Sequence, residues 1–145
     1  QDNFWSFAEA SYILIGEIPN VEFYKIAEGA PRNDYDVENF YSTAEIYVHS
    51  SKAEGLPTVL LEAMIYELPI VATDSPPGAT EILGNDKYGM RCSIADPEDM
   101  AEKIYKILIN DDLRKHYAKQ GKKRIADFDY HVIKNNLQDM LTRYI

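Results

Sequence analysis

Short apolar runs alternate with segments of helical period along this chain, and that alternation leaves few folds open to it. Runs that are short and apolar on both faces are typical of parallel strands covered by helices on both sides. The predicted strands are Tyr12 to Ile15, Val21 to Tyr24, Glu45 to His49, Ile70 to Thr73 and Met90 to Ile94. The predicted helices are Asp36 to Thr43, Pro57 to Glu67, Pro97 to Ile109, Asp112 to Ala126 and His131 to Tyr144. We therefore expect an α/β fold with an open parallel sheet and helices on both faces.

The chain has the size and composition of one domain. Its 145 residues are 46% hydrophobic, which is enough for a core without disulfides or metals. No internal repeat, low-complexity tract or Gly/Ser linker divides it, so we expect residues 1–145 to form a single domain. Cys92 is the lone cysteine, and there is neither a signal peptide nor a run of about 20 apolar residues. These features predict a cytoplasmic protein.

The charge balance argues against nucleic-acid binding. The formal net charge is −9 and the isoelectric point is near 4.7, whereas phosphate backbones are bound by clustered Lys and Arg. Lys122, Lys123 and Arg124 are the one basic cluster, and we interpret them as a solvated helix face.

Open parallel sheets bind ligands beyond the carboxyl ends of their strands, so we expect a site among the loops after Ile15, His49 and Thr73. The loop after His49 is the most informative. Pro57 suits the first turn of a helix, and Gly55 allows backbone to approach a ligand closely. The first amides of that helix, those of Thr58 and Val59, lack partners within it, and the helix dipole adds about half a positive charge there. A phosphate is the expected ligand.

Two carboxylates flank this helix start. Glu62 projects away from the apolar stripe of Leu60, Leu61, Met64, Ile65 and Leu68, where it can reach a ligand held at the helix terminus. A carboxylate near a bound phosphate is suited to accepting hydrogen bonds from ribose hydroxyls. We expect Glu54, in the preceding loop, to face the group that is attached to the second phosphate of such a ligand. From the residues alone, a solvated helix position for Glu62 and a loop charge for Glu54 are equally compatible.

A family resemblance favours the functional interpretation. Ser51 to Pro57, Leu61 to Met64 and the spacing Glu54-x7-Glu62 resemble the signature of the retaining GT-B glycosyltransferases of the family 4 type. Pro69 to Asp74, Pro77 to Ile82, Tyr88-Gly89 and Asp96-Pro97 are similar to later parts of the same family, and the resemblance covers most of residues 10–145. It implies a Rossmann-like domain, the C-terminal, nucleotide-sugar-binding half of a GT-B fold.

The resemblance also implies roles for individual residues. Glu62 would bind the nucleotide ribose, and the amides of Thr58 and Val59 would hold the diphosphate. Glu54 would act as the catalytic-site carboxylate and, with the amides of Gly55, Leu56 and Pro57, would contact the donor sugar. In such enzymes the sugar is transferred with retention, and the departing phosphate helps to deprotonate the acceptor. No metal and no cofactor are implied, because the UDP-, GDP- or ADP-sugar is itself a substrate.

Three departures from the family qualify these expectations. The Arg and Lys that usually neutralise the diphosphate are missing from residues 1–10, and because the chain begins at Gln1 rather than Met we expect them upstream, in a longer two-domain enzyme. Their loss alone would cost two to three orders of magnitude in rate, on the order of what a lost transition-state donor costs. Glu67 replaces the family's helix-ending glycine, where a left-handed conformation would cost roughly 1 kcal/mol, so we expect the helix end to be shaped differently. The N-terminal acceptor domain is also absent, so we expect this chain alone to be inactive.

Other chemical signals are weaker. Asp34-Tyr35-Asp36 resembles a DxD metal motif, but it precedes a predicted helix for which Asp36 is a good N-cap. His49, His116 and His131 lack the spacing of a metal site, although His49 lies at a strand end where it could border the cleft. Cys92 lacks a motif partner and is predicted to be a buried thiol. There is no GxGxxG or P-loop motif, which argues against nicotinamide enzymes and P-loop NTPases.

The sequence thus predicts the donor-binding domain of a hexosyltransferase involved in polysaccharide biosynthesis. Its expected partners are a nucleotide-sugar donor, a glycan or lipid-linked acceptor, the N-terminal domain and, for the parent enzyme, a peripheral membrane contact. Two alternatives stay open at this point. One is a GT-B-fold nucleotide-sugar epimerase, and the other is a binding module without catalytic activity.

Overall fold

The structure is a computed structural model, and it describes residues 2–23 and 37–142. Its centre is a three-stranded parallel sheet in the order β1-β2-β3, formed by Tyr47–His49, Ile70–Thr73 and Met90–Cys92. Val48 pairs with Val71, and Ala72 pairs with Arg91. The predicted parallel α/β fold is therefore confirmed.

Seven α-helices and one 3-10 turn surround the sheet within the described residues. They are α1 (Asp2–Ile15), α2 (Val37–Thr43), α3 (Thr58–Ile65), α4 (Gly78–Leu83), α5 (Pro97–Leu108), α6 (Asp111–Ile125), the 3-10 turn Ala126–Phe128 and α7 (Tyr130–Thr142). None of these helices has the length and apolar character that a membrane span requires.

The core has two halves, one on each side of the sheet. Ile70 and Ala72 of β2 pack with α3 and α4, whereas Val71 packs with α1 and α5. Successive residues of a strand point to opposite faces, so a strand apolar at every position can serve both halves. All four residues of β2 are buried, which fits its central place.

Helix α5 follows its sequence signals closely. The Asp96 side chain accepts a hydrogen bond from the Asp99 amide at 3.0 Å, and Pro97 begins the helix. Met100, Ile104 and Ile107 are fully buried, and their spacing places them on one helical face. The predicted helix Pro97 to Ile109 is therefore confirmed, and it ends one residue earlier, at Leu108.

The prediction of a strand at Tyr12 to Ile15 is wrong, because these residues belong to α1. Ala10 and Leu14 are the buried apolar residues of α1 among those whose side chains the structure describes, and their spacing of four is that of one helical face. Tyr12 and Ile15 are 82% and 61% exposed. A four-residue apolar run cannot distinguish strand from helix, so the loop after Ile15 does not follow a strand end.

The predicted strand Val21 to Tyr24 is not formed over its described part. Residues 21–23 have no regular structure, and Tyr24 lies outside the described residues. Phe23 instead meets Phe7 of α1 edge-on, with ring centroids 6.0 Å apart. Contact with a helix, rather than strand pairing, holds this segment.

Among the other predicted elements, β2 is confirmed with its predicted bounds, Ile70–Thr73, and several others form with shifted ends. β1 begins at Tyr47 instead of Glu45, β3 ends at Cys92 instead of Ile94, and α3 is shorter than Pro57 to Glu67. Asn110 caps α6 by accepting from the Leu113 amide at 3.0 Å, so that helix starts one residue before the predicted Asp112. The suggested cap Asp36 and the rest of Asp34-Tyr35-Asp36 lie outside the described residues.

Two predictions about individual faces need correction. Ile65 is 61% exposed, and the buried residues of α3 are Leu60, Ala63 and Met64, because three positions at helical spacing suffice to meet the sheet. Arg124 is not solvated: it donates to the carbonyls of Glu81 and Ile82 at 2.7 and 3.2 Å.

Candidate functional site

The candidate site lies where β1 and β2 end. Since the two strands are parallel, the loops after His49 and Thr73 leave the sheet at the same edge. The Thr73 hydroxyl, which is buried, donates to the carbonyl of Ser51. The amide of Gly78 donates to the carbonyl of Glu54 at 3.3 Å. These two hydrogen bonds hold the loop that contains Glu54 against the loop that follows β2.

Gly78 allows this close approach between loops. A Cβ atom built at Gly78 would lie 2.5 Å from the Gly55 carbonyl oxygen and 2.5 Å from Cδ of Pro57. Real Cβ atoms do not approach other atoms so closely, so a side chain here would push the two loops apart. The sequence motif that contains Gly78 therefore has a physical role, which is to support the loop before α3.

Gly55 has the opposite environment. A Cβ atom built there would meet nothing within 4 Å, and the residue is exposed. The fold does not need a glycine at this position for lack of space. The open space above Gly55 is instead available to a ligand, which is what the sequence led us to expect of this residue.

The amino terminus of α3 faces the same edge of the sheet. The Leu60 amide donates to the Pro57 carbonyl at 3.0 Å, so the bonded turns of the helix begin there and the amides of Thr58 and Val59 precede them. Pro57 occupies the N-cap position and makes no side-chain capping bond to these amides. The geometry and the helix dipole together suit a bound phosphate.

Glu54 lies beside His49, which from the sequence could be either a structural histidine or a residue that borders the cleft. Its Oε1 atom is 3.6 Å from Nε2 of His49, and their side chains are 37% and 15% exposed, respectively. His49 is thus placed at the strand end next to Glu54. A protonated imidazole at this distance would attract the carboxylate and limit its positions.

Glu62 lies one turn further along α3, and it is half-buried. The hydroxyl of Tyr41 donates to its Oε2 atom at 3.3 Å. Burial raises the pKa of Tyr47, a hydrogen bond to Tyr41 opposes the rise, and the charges of Glu62 and Glu54 add to it. The charges of both carboxylates thus act on the partly buried Tyr47, so the two predicted residues lie in the same region.

Sequence reasoning missed the tyrosines at this site. Tyr41 and Tyr66 stack with centroids 5.3 Å apart and an interplanar angle of 12°, and Tyr47 meets Tyr41 at 5.6 Å. No periodic spacing relates the three, because they come from α2, β1 and the end of α3. One signal was available in the sequence. Tyr41 lies shortly before β1 and Tyr47 begins it, and the carboxyl end of β1 leads into the site.

A second polar cluster follows β2. The Arg91 side chain lies 3.0 Å from Asp74 and 3.2 Å from Asp86, and the Thr80 hydroxyl donates to Asp74 at 2.6 Å. These contacts connect β3 and α4 to the loop that supports the site. They are satisfied among themselves, so we assign them a structural role.

The remaining candidates are placed as follows. Cys92 is buried in β3, and burial raises the pKa of its thiol to about 12, which fits an inert thiol. His116 and His131 lie on the exposed faces of α6 and α7. Within residues 2–23 and 37–142, no group of three or more His, Cys, Asp or Glu residues could hold a metal ion.

Comparisons with known proteins place this site in context. The family model of the glycosyl transferases group 1 matches residues 30–124. The capsular polysaccharide biosynthesis glycosyltransferase CapM of Staphylococcus aureus is 27% identical over 141 residues, covering 97% of this chain and 35% of CapM. The N-acetylgalactosamine-N,N'-diacetylbacillosaminyl-diphospho-undecaprenol 4-alpha-N-acetylgalactosaminyltransferase of Campylobacter jejuni is 30% identical over 116 residues, covering 80% of this chain and 31% of the enzyme. The chain thus spans about a third of the length of these relatives.

Solved structures share the fold. The C-terminal domain of the glycosyl transferase group 1 family protein LpcC of Francisella tularensis has a TM-score of 0.61 and 23% identity, covering 85% of this chain and 60% of that domain. Anabaena HepE, solved with UDP and glucose, has a TM-score of 0.62 and 20% identity, covering 95% of this chain and 38% of HepE. The fold is the C-terminal half of a GT-B fold. Since the family model matches more than half of its residues, the chain belongs to the glycosyl transferases group 1 family.

Proposed function

We propose that this chain binds the nucleotide diphosphate sugar of a retaining hexosyltransferase of the family 4 type. The observation that supports this most is that the loop containing Glu54 and the amino terminus of α3 follow β1 at the carboxyl edge of the sheet, with Glu62 one turn further along α3. In this proposal the amides of Thr58 and Val59 bind the diphosphate, and Glu62 accepts hydrogen bonds from the ribose hydroxyls. UDP in the HepE structure makes UDP-sugars the first donors to test, with GDP- and ADP-sugars beside them.

The proposed reaction exchanges one glycosidic bond for another. The bond between the sugar C1 atom and the diphosphate oxygen breaks, and a bond from C1 to the acceptor oxygen forms on the same face of the ring. The acceptor proton moves to the departing diphosphate. Glu54, with the amides of Gly55 and Leu56 and the backbone of Pro57, which has no N–H to donate, contacts the sugar and orients the ring during this exchange. The proposal requires neither a metal ion nor a cofactor.

The names of two relatives support a proposal for the acceptor and the setting. CapM is named for capsular polysaccharide biosynthesis, and the Campylobacter enzyme is named for a diphospho-undecaprenol substrate. We extend this to a polysaccharide or lipid-linked acceptor that is bound mainly by an N-terminal domain of the same enzyme, with peripheral membrane contact. The lone cysteine fits the cytoplasm as the proposed location. Without the acceptor domain, this chain is expected to bind the donor but not to transfer the sugar.

Donor binding can be measured by ligand-observed NMR with a panel of UDP-, GDP- and ADP-sugars. We expect one base to show saturation transfer, and we expect Glu62→Ala to weaken it about tenfold or more, since charge-assisted hydrogen bonds to the ribose are lost. Glu98→Ala is the matched control, because Glu98 is exposed in the first turn of α5. If no nucleotide sugar binds the wild-type chain or its parent enzyme, the assignment of the α3 terminus is wrong.

The role of Glu54 needs a catalytic readout in the parent enzyme. Glu54→Gln keeps the size of the side chain but removes its charge, so we expect turnover to fall by about tenfold or more while nucleoside diphosphate affinity stays within about twofold. Product analysis in the same assay separates the alternatives. A glycoside with retained configuration supports the transferase, a free sugar epimer indicates an epimerase, and binding without any product indicates a non-catalytic module.

A further inference from the structure

Glu62 is held from the side of the core by a buried tyrosine. Tyr41 lies on α2 and is only 5% exposed, and its hydroxyl donates to the Oε2 atom of Glu62 at 3.3 Å. A glutamate side chain on a helix can otherwise rotate about several bonds. A hydrogen bond from a fixed donor therefore restricts where its carboxylate lies.

The donor itself is fixed by neighbouring rings. Tyr41 stacks on Tyr66 at an interplanar angle of 12° and meets Tyr47 at 36°. Burial, together with the nearby Tyr47 and the charge of Glu62, raises the pKa of Tyr41 well above its usual range. The hydroxyl thus stays protonated, and it remains a donor, at neutral and moderately alkaline pH.

We propose that Tyr41 is a positioning residue that aims the Glu62 carboxylate at the ribose of the bound nucleotide. This inference rests on the proposed function, because it gives Tyr41 a role through Glu62 alone. Tyr41 itself is buried beneath the carboxylate and does not touch the nucleotide. Removing its hydroxyl should therefore weaken recognition of the ribose hydroxyls and leave binding of the rest of the nucleotide unchanged.

The test compares UDP with 2',3'-dideoxy-UDP, which lacks both ribose hydroxyls, by NMR titration of the wild-type protein and of Tyr41→Phe. We expect wild type to prefer UDP about tenfold or more. Tyr41→Phe should lose about three- to tenfold in affinity for UDP, the effect of one lost hydrogen bond to a charged group. Its affinity for the dideoxy nucleotide should not change. The GDP and ADP pairs are measured in parallel.

Two controls separate positioning from a loss of structure. Tyr117→Phe removes another buried tyrosine hydroxyl, one that donates to the Asp86 carbonyl at 3.2 Å in the other half of the core. It should leave the preference for UDP intact. In a Glu62→Ala background, Tyr41→Phe should have no further effect on UDP affinity, because the group that it positions is gone.

The outcomes distinguish this inference from the proposed function. If Glu62→Ala loses the preference for UDP but Tyr41→Phe retains it fully, the positioning role is overturned and the proposed function stands. If the wild-type protein binds neither nucleotide of any pair, or binds both equally, both fail. An equal loss of affinity for UDP and dideoxy-UDP in Tyr41→Phe would also overturn the positioning role, since it would indicate a general disturbance of the site.

Discussion

Two glycines near α3 differ in what they do, although both belong to the motifs that the sequence singled out. Gly78 lies within 2.5 Å of neighbouring backbone once a Cβ is added, whereas Gly55 has open space around it. One is therefore needed for packing between loops. The other is proposed to leave room for a ligand.

Alanine substitutions should separate these two roles. We expect Gly78→Ala to lower the free energy of unfolding by about 1–3 kcal/mol, because the loops before α3 and α4 must move apart. Gly55→Ala should change stability by less than about 0.5 kcal/mol while weakening nucleotide-sugar binding. Urea denaturation measures the first effect and NMR titration measures the second. Equal binding by Gly55→Ala and wild type would argue against a ligand above Gly55.

Cys92 should make stability depend on pH under alkaline conditions. Its pKa is raised from 9.0 to about 12 by burial, so above pH 9 the unfolded chain releases a proton that the folded protein retains. This contribution to stability is fully present below pH 9 and is lost as the pH rises towards about 12, by up to about 1 kcal/mol per pH unit. Cys92→Ala removes the contribution, so its unfolding free energy should fall less steeply.

The interval from pH 9 to 10 is the best place for this measurement. The buried tyrosines also have raised pKa values, but their ordinary value is 10.0, so they act mainly above that interval. Urea denaturation at several pH values gives the two slopes. Identical slopes for wild type and Cys92→Ala would show that the thiol ionises as easily in the folded protein as in the unfolded chain.

At the scale of elements, helix α3 ends in a way that a glutamate does not favour. Glu67 has φ of 58°, its amide donates to the Met64 carbonyl, and the Leu68 amide donates to the Ala63 carbonyl, both at 3.0 Å. This pair of bonds is a Schellman motif, in which glycine is the usual residue. The expectation of a differently shaped helix end is therefore wrong, because Glu67 adopts the left-handed conformation that the family's glycine would adopt.

Glu67→Gly should stabilise the protein by roughly 0.5–1 kcal/mol, because relief of the left-handed strain exceeds the added entropy of the unfolded chain. The substitution also removes the contact between Glu67 and Lys122, but exposed ion pairs contribute little. Lys122→Ala is the control for that pair and should be nearly neutral. Thermal denaturation measures all three proteins, and a lower midpoint for Glu67→Gly would contradict the strain.

At the scale of the whole molecule, Arg124 connects parts that are distant in the chain. Its guanidinium donates to two carbonyls at the end of α4 and pairs with Asp127 at 2.7 Å. The same group lies 4.9 Å from the ring centroid of Tyr88 and 5.0 Å from that of Phe128. One side chain thus connects α6 and the 3-10 turn that follows it to α4.

Loss of this connection should destabilise the fold. We expect Arg124→Ala to lower the free energy of unfolding by about 2–3 kcal/mol, because two helix-end carbonyls lose their donor along with the stacked rings. Arg124→Lys should recover only part of this, since an ammonium group cannot reproduce the planar fork. The neighbouring Lys123→Ala is the control and should be close to neutral. Equal stability of Arg124→Ala and Lys123→Ala would show that Arg124 contributes no more to stability than a solvated side chain.

Local signals were sufficient for several elements and for the site motif. Asp96 and Pro97 define the start of α5 because a cap and its helix lie within one turn of chain. The alternation of apolar runs with helices predicted the parallel sheet, because a strand buried on both faces must be apolar throughout. Gly55, Pro57 and Glu62 could be found from their spacing, since a loop and the helix that follows it are neighbours in sequence.

Tertiary contacts decided the rest. The apolar run at Tyr12 to Ile15 is part of a helix because Ala10 and Leu14 of that helix pack on α5. A run of four residues does not indicate by itself which element it packs against. The bond from Tyr41 to Glu62 and the bonds from Arg124 to α4 join residues far apart in the chain. Sequence patterns encode contacts within about one helical turn, whereas contacts between elements depend on how the whole chain packs. For that reason the sequence determined the motif of the candidate site, and only the folded structure determined which side chains pack around that motif.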